Sequence, residues 1–267
     1  MKKKLNMYLV VGAIMVALCV VLAVTSFVYT PFSPTENSYA LRYHEPDKVH
    51  IMGCDKFGRD VFSRVLKGIG NTMGVGFCVI MISGIIGTIL GAVTGYFGGI
   101  VDTVIMRFND AINGFPSVLL ALVFISVMGT GKLNVITVLS IVFIPSITRV
   151  VRGEFIKQRN MEYVKLARLL KINPVRIIFV HILPNIGNTL AGTFTIGFNN
   201  AILAESGLSY LGVGVMPPDA SLGLMMSEYQ GKLMSAPWCS MYPGLVIMII
   251  IVGFTLLAEG IRREQHA

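Results

Sequence analysis

The stretch EFIKQRNMEYVKLARLLKINPVR, residues 154–176, decides how this chain is built. It holds six basic residues and two glutamates, and apolar segments flank it on both sides. Placing eight charges in a bilayer at ~2.5–3.5 kcal/mol each would cost on the order of 20 kcal/mol. The stretch is therefore predicted to be a cytoplasmic excursion between two membrane spans.

The same stretch has the periodicity of a helix. Tyr163, Leu166, Ala167 and Leu170 fall at i, i+3, i+4 and i+7 and so share one face. Asn173-Pro174 then predicts a turn before a second short helix leads back into the membrane. A short amphipathic helix with basic flanks is typical of two settings, the surface of anionic lipid and a groove on a partner protein, and the pattern alone does not decide between them.

The rest of the chain is built for lipid. Apolar residues make up 54% of it and charged residues only 13%, against about 25% charged in a soluble domain. Backbone groups in lipid must be paired within the segment, and about 20 apolar residues cross the hydrocarbon core. We therefore predict an all-α, polytopic membrane protein with six transmembrane helices. The six charge-free intervals are Leu5–Thr35, Gly68–Val101, Ala111–Gly131, Leu133–Thr148, Ile177–Ala204 and Leu233–Ala258.

The basic residues set the predicted orientation. Lys2, Lys3 and Lys4 precede the first span, so the positive-inside rule places the N-terminus in the cytoplasm. Alternation from there puts 14 of the 22 basic residues inside and brings both termini to the cytoplasmic side. The first charge-free run is 31 residues long, far beyond the 7–15 residues of a signal-peptide core, so a retained helix is predicted.

Two parts are predicted along the chain. Residues 1–72 hold the first transmembrane helix and an external segment, whose later part, Asp55 to Lys67, has the interleaved charges of an interfacial helix. Residues 73–267 are predicted to form a five-helix core with cytoplasmic helices at about 154–184, the segment that the resemblance described next identifies as coupling helices. Four cysteines follow no metal-ligand spacing, and whether Cys54 and Cys239 pair is left open.

Three stretches make the sequence specific. Residues 163–168 (YVKLAR) and 177–185 (IIFVHILPN) resemble the EAA loop of ABC importer permeases, the coupling helix that fits a cleft in the cytoplasmic ATPase. Residues 53–64 (GCDKFGRDVFSR) are similar to the GTDxxGRDxxSR signature of the dipeptide/oligopeptide/nickel permeases. Residues 204–214 (AESGLSYLGVG), followed by Pro217-Pro218, resemble that family's AExSLSFLGLGxxPP stretch. The chain is thereby identified as a member of this permease family.

The resemblance implies a type I ABC importer permease fold in a bacterial inner or plasma membrane. It implies a transport subunit rather than an enzyme, moving a small peptide or a nickel or metal-chelate ligand. The implied partners are a homologous permease in a heterodimer, two cytoplasmic ATPase subunits, an extracytoplasmic binding protein and membrane lipid, without nucleic acid. This chain would bind no cofactor or metal itself, and ATP-Mg would bind to the ATPase subunits.

Six residues are expected, from the resemblance, to couple the chain to the ATPase. Two depart from the family pattern, because its Glu-Ala-Ala is here Lys165-Leu166-Ala167 and its glycine is Lys171. An acidic contact becomes basic, and a helix-ending or close-approach position gains a long side chain. Either the partner ATPase carries compensating acidic residues, or coupling depends on the homologous permease. The expected coupling residues are Tyr163, Lys165, Leu166, Ala167, Leu170 and Lys171.

Two further readings stay open. Glu205, at the outer end of the fifth span, either faces the pathway or a docked binding protein, or only fixes a loop. An ion-coupled secondary transporter is the alternative function, although the charges of these spans lie mainly at their ends. His181 has no HExxH motif or neighbouring carboxylate, which favours packing or a backbone hydrogen bond over a metal.

Overall fold

The computed structural model describes residues 6–265, and it is built of helices joined by short loops. Lys2, Lys3 and Lys4, which carry the predicted orientation, lie outside these residues. The α-helices are α1 Met7–Val28, α2 Val61–Phe97, α3 Gly99–Asn113, α4 Ser117–Met128, α5 Lys132–Arg159, α6 Glu162–Leu169, α7 Pro174–Arg176, α8 Leu183–Asn185, α9 Gly187–Tyr210, α10 Leu222–Tyr229 and α11 Trp238–Gln265.

Four helices (α1, α2, α5 and α11) are each long and apolar enough to cross a membrane. Two further spans are bent pairs of helices. The segments α3 and α4 meet at 88°, and Pro174–Asn185 meets α9 at 70°. The all-α fold is confirmed, and the six predicted spans are found if each bent pair counts as one.

The third predicted span is not one straight helix. It is interrupted at 114–116, where Pro116 lacks an N–H and disfavours the helical conformation at Phe115. The fourth predicted span, Leu133–Thr148, is longer than expected. α5 continues to Arg159, because its charged last turns leave the apolar region without ending the helix.

No separate interfacial helix forms at Asp55–Lys67. Residues 55–60 make a turn, and Val61 starts a helix of 37 residues that passes unbroken through the predicted boundary at 72 and 73. Asp60 starts α2 because its carboxylate accepts a hydrogen bond of 2.7 Å from the backbone N–H of Ser63. The first turns of α2 are buried against protein, and the division into two parts stays a prediction.

Glycines let α2 and α5 approach closely. A Cβ added at Gly87 would lie 2.9 Å from Ile147 Cβ, and one at Gly91 would lie 2.7 Å from the carbonyl oxygen of Thr148. Neither position leaves room for a side chain. Small residues of this kind are what allow membrane helices to pack backbone against backbone.

The bundle has two distinct ends. Asn6 donates a hydrogen bond of 2.8 Å to the carbonyl of Gly260, so the described chain begins and ends together. α6 lies at this same end, which we call the α6 end. The loops 29–60 and 211–237 lie at the opposite end, which we call the loop end, because Ser26 there packs against Gly70 near the start of α2.

Candidate coupling surface and loop-end ion cluster

α6 is anchored by an inward face. Val164 is fully buried and Ala167 is 4% exposed, while the hydroxyl of Tyr163 lies 2.8 Å from Gln158 Oε1 at the end of α5. The four residues predicted to share one face of this helix therefore do not all point the same way, because Ala167 packs against the rest of the protein. Val164, which this prediction omitted, is the main inward contact; its i, i+3 spacing from Ala167 was the available signal.

The outward face of α6 is apolar and uncovered. Leu166 is 57% exposed, Leu169 79% and Leu170 67%. Leu166 and Leu170 were predicted for this surface, and Leu169 was missed although it follows Leu166 by three residues. We call these three residues the leucine face.

Lys171 ends the helix in a left-handed conformation, with φ of 53°. Its N–H donates to the carbonyl of Arg168 at 2.9 Å, and the N–H of Ile172 donates to that of Ala167 at 3.1 Å. This pair of bonds is the Schellman motif, in which glycine is the usual left-handed residue. The family's glycine thus has a structural reason, and Lys171 adopts its conformation.

Among the residues that the structure describes, the ion-pair partner of Lys165 is an exposed neighbour on the same helix. Its ammonium lies 3.0 Å from Glu162 Oε1, and the two side chains are 55% and 91% exposed. A surface pair of this kind contributes about 0–1 kcal/mol. Lys165 is consequently available to exchange Glu162 for another carboxylate.

Arginines tie α6 and α5 to the neighbouring helices. Arg168 lies over the ring of Tyr96 with its guanidinium carbon 4.6 Å from the ring centroid. Arg152 of α5 donates two hydrogen bonds to the carboxylate of Asp102 on α3, one of them 2.6 Å long. Arg149, also on α5, lies with its Nη2 2.8 Å from Asp110 Oδ1 on α3. These contacts connect α6 with α2 and α5 with α3.

The return to the membrane runs through a π-helical turn at Ile177–Ile182. Pro184, which lacks a backbone N–H, lies two residues after its end, and such turns form where the regular hydrogen-bond ladder is broken. His181 Nδ1 lies 3.2 Å from the carbonyl oxygen of Arg176, in agreement with the predicted backbone bond. Within residues 6–265, no three His, Cys, Asp or Glu side chains are placed to hold a metal ion.

Glu205 is fully buried near the loop end of α9. Its carboxylate accepts a hydrogen bond of 2.7 Å from Ser209, whose hydroxyl oxygen accepts another of 3.1 Å from the backbone N–H of Val215. The side chain thereby fixes the loop after α9, which was one of its two predicted roles. Its contact with a pathway or a binding protein stays a prediction.

A buried ion cluster at the loop end was missed by the sequence analysis. Arg64 is 1% exposed and bonds Glu228 at 3.2 Å, with Asp55 at 3.6 Å. Arg59 Nε donates to Asp55 at 2.6 Å, and Lys56 lies 3.7 Å from Glu228. The motif GCDKFGRDVFSR was noticed as a family signature, but nothing local in the sequence connects it with Glu228, 164 residues beyond Arg64.

Cys54 and Cys239 are neighbours with free thiols. The Cys239 thiol lies 3.6 Å from the carbonyl oxygen of Cys54, to which Trp238 also donates a hydrogen bond of 3.2 Å from its indole N–H. Burial raises the pKa of the Cys54 thiol to about 11. These contacts fasten the first residue pair of α11 to the loop that precedes α2.

The chain was compared with known families and proteins. Residues 87–263 match the family model described as binding-protein-dependent transport system inner membrane component. The chain is 33% identical over 265 residues to the dipeptide transport system permease protein DppC of Haemophilus influenzae, covering 97% of this chain and 90% of that protein. It is 35% identical over 217 residues to the glutathione transport system permease protein GsiD of Pectobacterium atrosepticum, covering 81% of this chain and 72% of the relative.

A solved structure described as showing inward facing conformations of the MetNI methionine ABC transporter is similar with a TM-score of 0.61. The match covers 75% of this chain and 95% of that one at 17% identity, so it confirms the fold alone. Together, the matched family model and the relatives that align along nearly the whole sequence show that the chain belongs to the binding-protein-dependent transport system inner membrane components, the permease subunits of ABC importers.

Proposed function

We propose that this chain is one permease subunit of an ATP-driven importer of small peptides. Relatives named for dipeptide and glutathione transport, each at least 33% identical to this chain, support a peptide-type substrate. These relatives favour a peptide over nickel or a metal chelate, which the sequence left open. Family membership also favours this function over ion-coupled secondary transport.

The observation that carries the proposal is the leucine face of α6. Three large apolar side chains stand exposed at the end of the bundle, beyond charged residues that no bilayer would accept. Such a surface is typical of contact with a partner protein. We propose that Leu166, Leu169 and Leu170 dock in a groove of a cytoplasmic ATPase, so that helix packing supplies the affinity.

The proposed assembly follows from this contact. The α6 end faces the cytoplasm with both termini, and the loop end faces the external binding protein. A homologous permease completes a heterodimer, and two ATPase subunits bind ATP-Mg. ATPase closure would displace α6 and, through Tyr96 and α2, rock the bundle. ATP must bind the outward-open state better for this displacement to be driven, since equal affinity shifts no population.

The test is the double variant Leu166→Asp with Leu170→Asp in the assembled transporter. Both side chains are exposed, so insertion and folding are expected to be retained. Two carboxylates in an apolar groove are expected to uncouple ATP hydrolysis from transport, which is measured as peptide uptake into proteoliposomes alongside ATPase rate. Uptake at the normal rate would show that the leucine face does not dock.

A matched control places the same charges on exposed apolar residues at the loop end. Leu133 is 78% exposed, and Met234 is fully exposed. The double variant Leu133→Asp with Met234→Asp is expected to keep peptide uptake coupled to ATP hydrolysis as in the wild type. If the control is uncoupled equally, the effect of the α6 variant is not specific to docking.

Lys165 tests the charge of the proposed groove. Because the family's acidic residue is replaced by lysine here, the partner groove is expected to be acidic at this contact. Lys165→Glu is then expected to reduce co-purification of the ATPase subunits, whereas Lys165→Gln reduces it less. Unchanged co-purification of the Lys165→Glu complex would refute an acidic groove.

A further inference from the structure

An apolar groove of about 440 Å³ opens on the side of the bundle between α1 and α2. Its walls include Val24 and Phe27 of α1 and Phe77 of α2, all more than half exposed. The rings of Phe198 and Phe254, with centroids 4.4 Å apart, close its floor. The lining of this groove is entirely apolar side chains and glycine.

The groove has the length of one membrane leaflet. It follows α1 from Val16 to Phe27, which is about 17 Å at ~1.5 Å per residue. Half of the hydrocarbon core is about 15 Å. The groove therefore covers the depth of one leaflet, the leaflet at the loop end.

The groove is narrow. A volume of about 440 Å³ spread over about 17 Å leaves a cross-section of roughly 26 Å² for the centres of the atoms that fill it. A single hydrocarbon chain fits this cross-section.

A cation stands at the rim of the groove. Lys67 Nζ lies 5.2 Å from the centroid of the Phe27 ring, and Lys67 shares the face of α2 that carries Gly70 and Gly74, at i, i+3 and i+7. Among residues 6–265, no carboxylate forms an ion pair with Lys67. An ammonium at the open end of an apolar channel complements a phosphate that carries a hydrocarbon chain.

We propose that this groove binds one acyl chain of a phospholipid from the leaflet at the loop end, with Lys67 paired to the lipid phosphate. The acyl chain covers apolar side chains that would otherwise contact only loosely packed lipid, and the phosphate paired with Lys67 fixes the position of the lipid. The site is separate from the leucine face and does not depend on the identity of the transported substrate.

Gly74 offers a direct test. A Cβ at Gly74 would have no atom within 4 Å, so Gly74→Leu fills the groove without displacing the helices. Native mass spectrometry of the purified transporter in nanodiscs of phosphatidylglycerol and phosphatidylethanolamine counts the phospholipids retained after partial detergent extraction. Gly74→Leu is expected to retain one phospholipid fewer per copy of this chain.

Two further variants make the outcome decisive. Gly207→Leu on α9, a glycine that also has no atom within 4 Å of its added Cβ, is the matched control and is expected to retain the wild-type number. Lys67→Gln leaves the groove open and is expected to weaken retention of phosphatidylglycerol about fivefold, the effect of one lysine near an anionic surface.

Three results would overturn the proposal. The first is an unchanged lipid count in Gly74→Leu, and the second is unchanged retention in Lys67→Gln. The third is loss of the homologous permease from the Gly74→Leu complex with no change in lipid, which would make the groove a subunit contact.

Discussion

Replacing Lys171 by glycine is expected to rigidify the end of the coupling helix. A residue with a Cβ in the left-handed region costs about 1–2 kcal/mol, and Lys171 has φ of 53° there. Glycine removes this strain, but its greater backbone freedom when the hydrogen bonds of the helix end are broken offsets about 0.5–1 kcal/mol of the gain. Alanine at this position loses the same ammonium and keeps the strain, so relative to Lys171→Ala the net stabilisation is about 1 kcal/mol, which is roughly a fivefold change in the ratio of formed to frayed helix ends.

Hydrogen exchange measures this ratio directly. The N–H groups of Lys171 and Ile172 donate the two bonds of the Schellman motif, so their exchange reports opening of the helix end. In the reconstituted permease, these two amides are expected to exchange about fivefold more slowly in Lys171→Gly than in Lys171→Ala.

Lys171→Ala is the matched control for charge. It also removes the ammonium, whose attraction to the helix C-terminus contributes about 0.3–1 kcal/mol, but it keeps the Cβ. Its amides are therefore expected to exchange no more slowly than those of the wild type. Equal exchange in Lys171→Gly and Lys171→Ala would refute the claim that backbone strain limits this helix end.

Three other predictions concern stability and reactivity. Asp55→Asn should destabilise the purified transporter by about 3–5 kcal/mol, the cost of a broken buried ion pair, because Arg64 then lacks part of its charge compensation. A fall in melting temperature no larger than that of surface variants, measured by scanning fluorimetry, would contradict this. Gly91→Leu should lower the stability of the folded protein by at least about 1–3 kcal/mol through overpacking and should reduce the yield of folded protein. Gly153→Leu should not, because a Cβ added at Gly153 would have no atom within 4 Å. Equal yields of folded protein on size exclusion would count against the close helix contact. Cys54 has a pKa raised from 9.0 to about 11, so burial of its neutral thiol stabilises the folded loop fully below pH 9.0, and this stabilisation is lost as the pH rises to about 11. Maleimide labelling followed by peptide mass spectrometry should find Cys54 unmodified at pH 8 in the folded protein. Rapid labelling at that pH would refute its burial.

The span pattern was predictable because lipid imposes a simple rule on composition. Charge-free intervals located the spans, and the eight charges of residues 154–176 located the excursion. The kinks were not predictable in detail, because Pro116 and Pro184 show where a helix is disturbed but not by what angle. α5 also exceeded its charge-free interval, since helices continue into water where their last turns are polar.

The position of α6 was predicted, but its inner and outer faces were not. The i, i+3, i+4, i+7 spacing identifies residues on one face of a helix, but it does not show which face packs against the core of the protein. Val164 and Leu166 are two residues apart and point in different directions, and only packing against α5 assigns them. The loop-end ion cluster depends on Glu228, which lies far along the chain from Arg59 and Arg64, so no local pattern contains it.

The indole contact at the start of α11 gives this protein a built-in optical reporter. Trp238 is the one tryptophan of the sequence, and its N–H is bonded to the Cys54 carbonyl in the segment leading into α2. Separation of these two segments would replace a protein carbonyl by water at the indole and shift its emission to longer wavelength. Rocking of the bundle during a transport cycle can thus be followed by intrinsic fluorescence without attaching a dye, provided that the other subunits contribute a constant background.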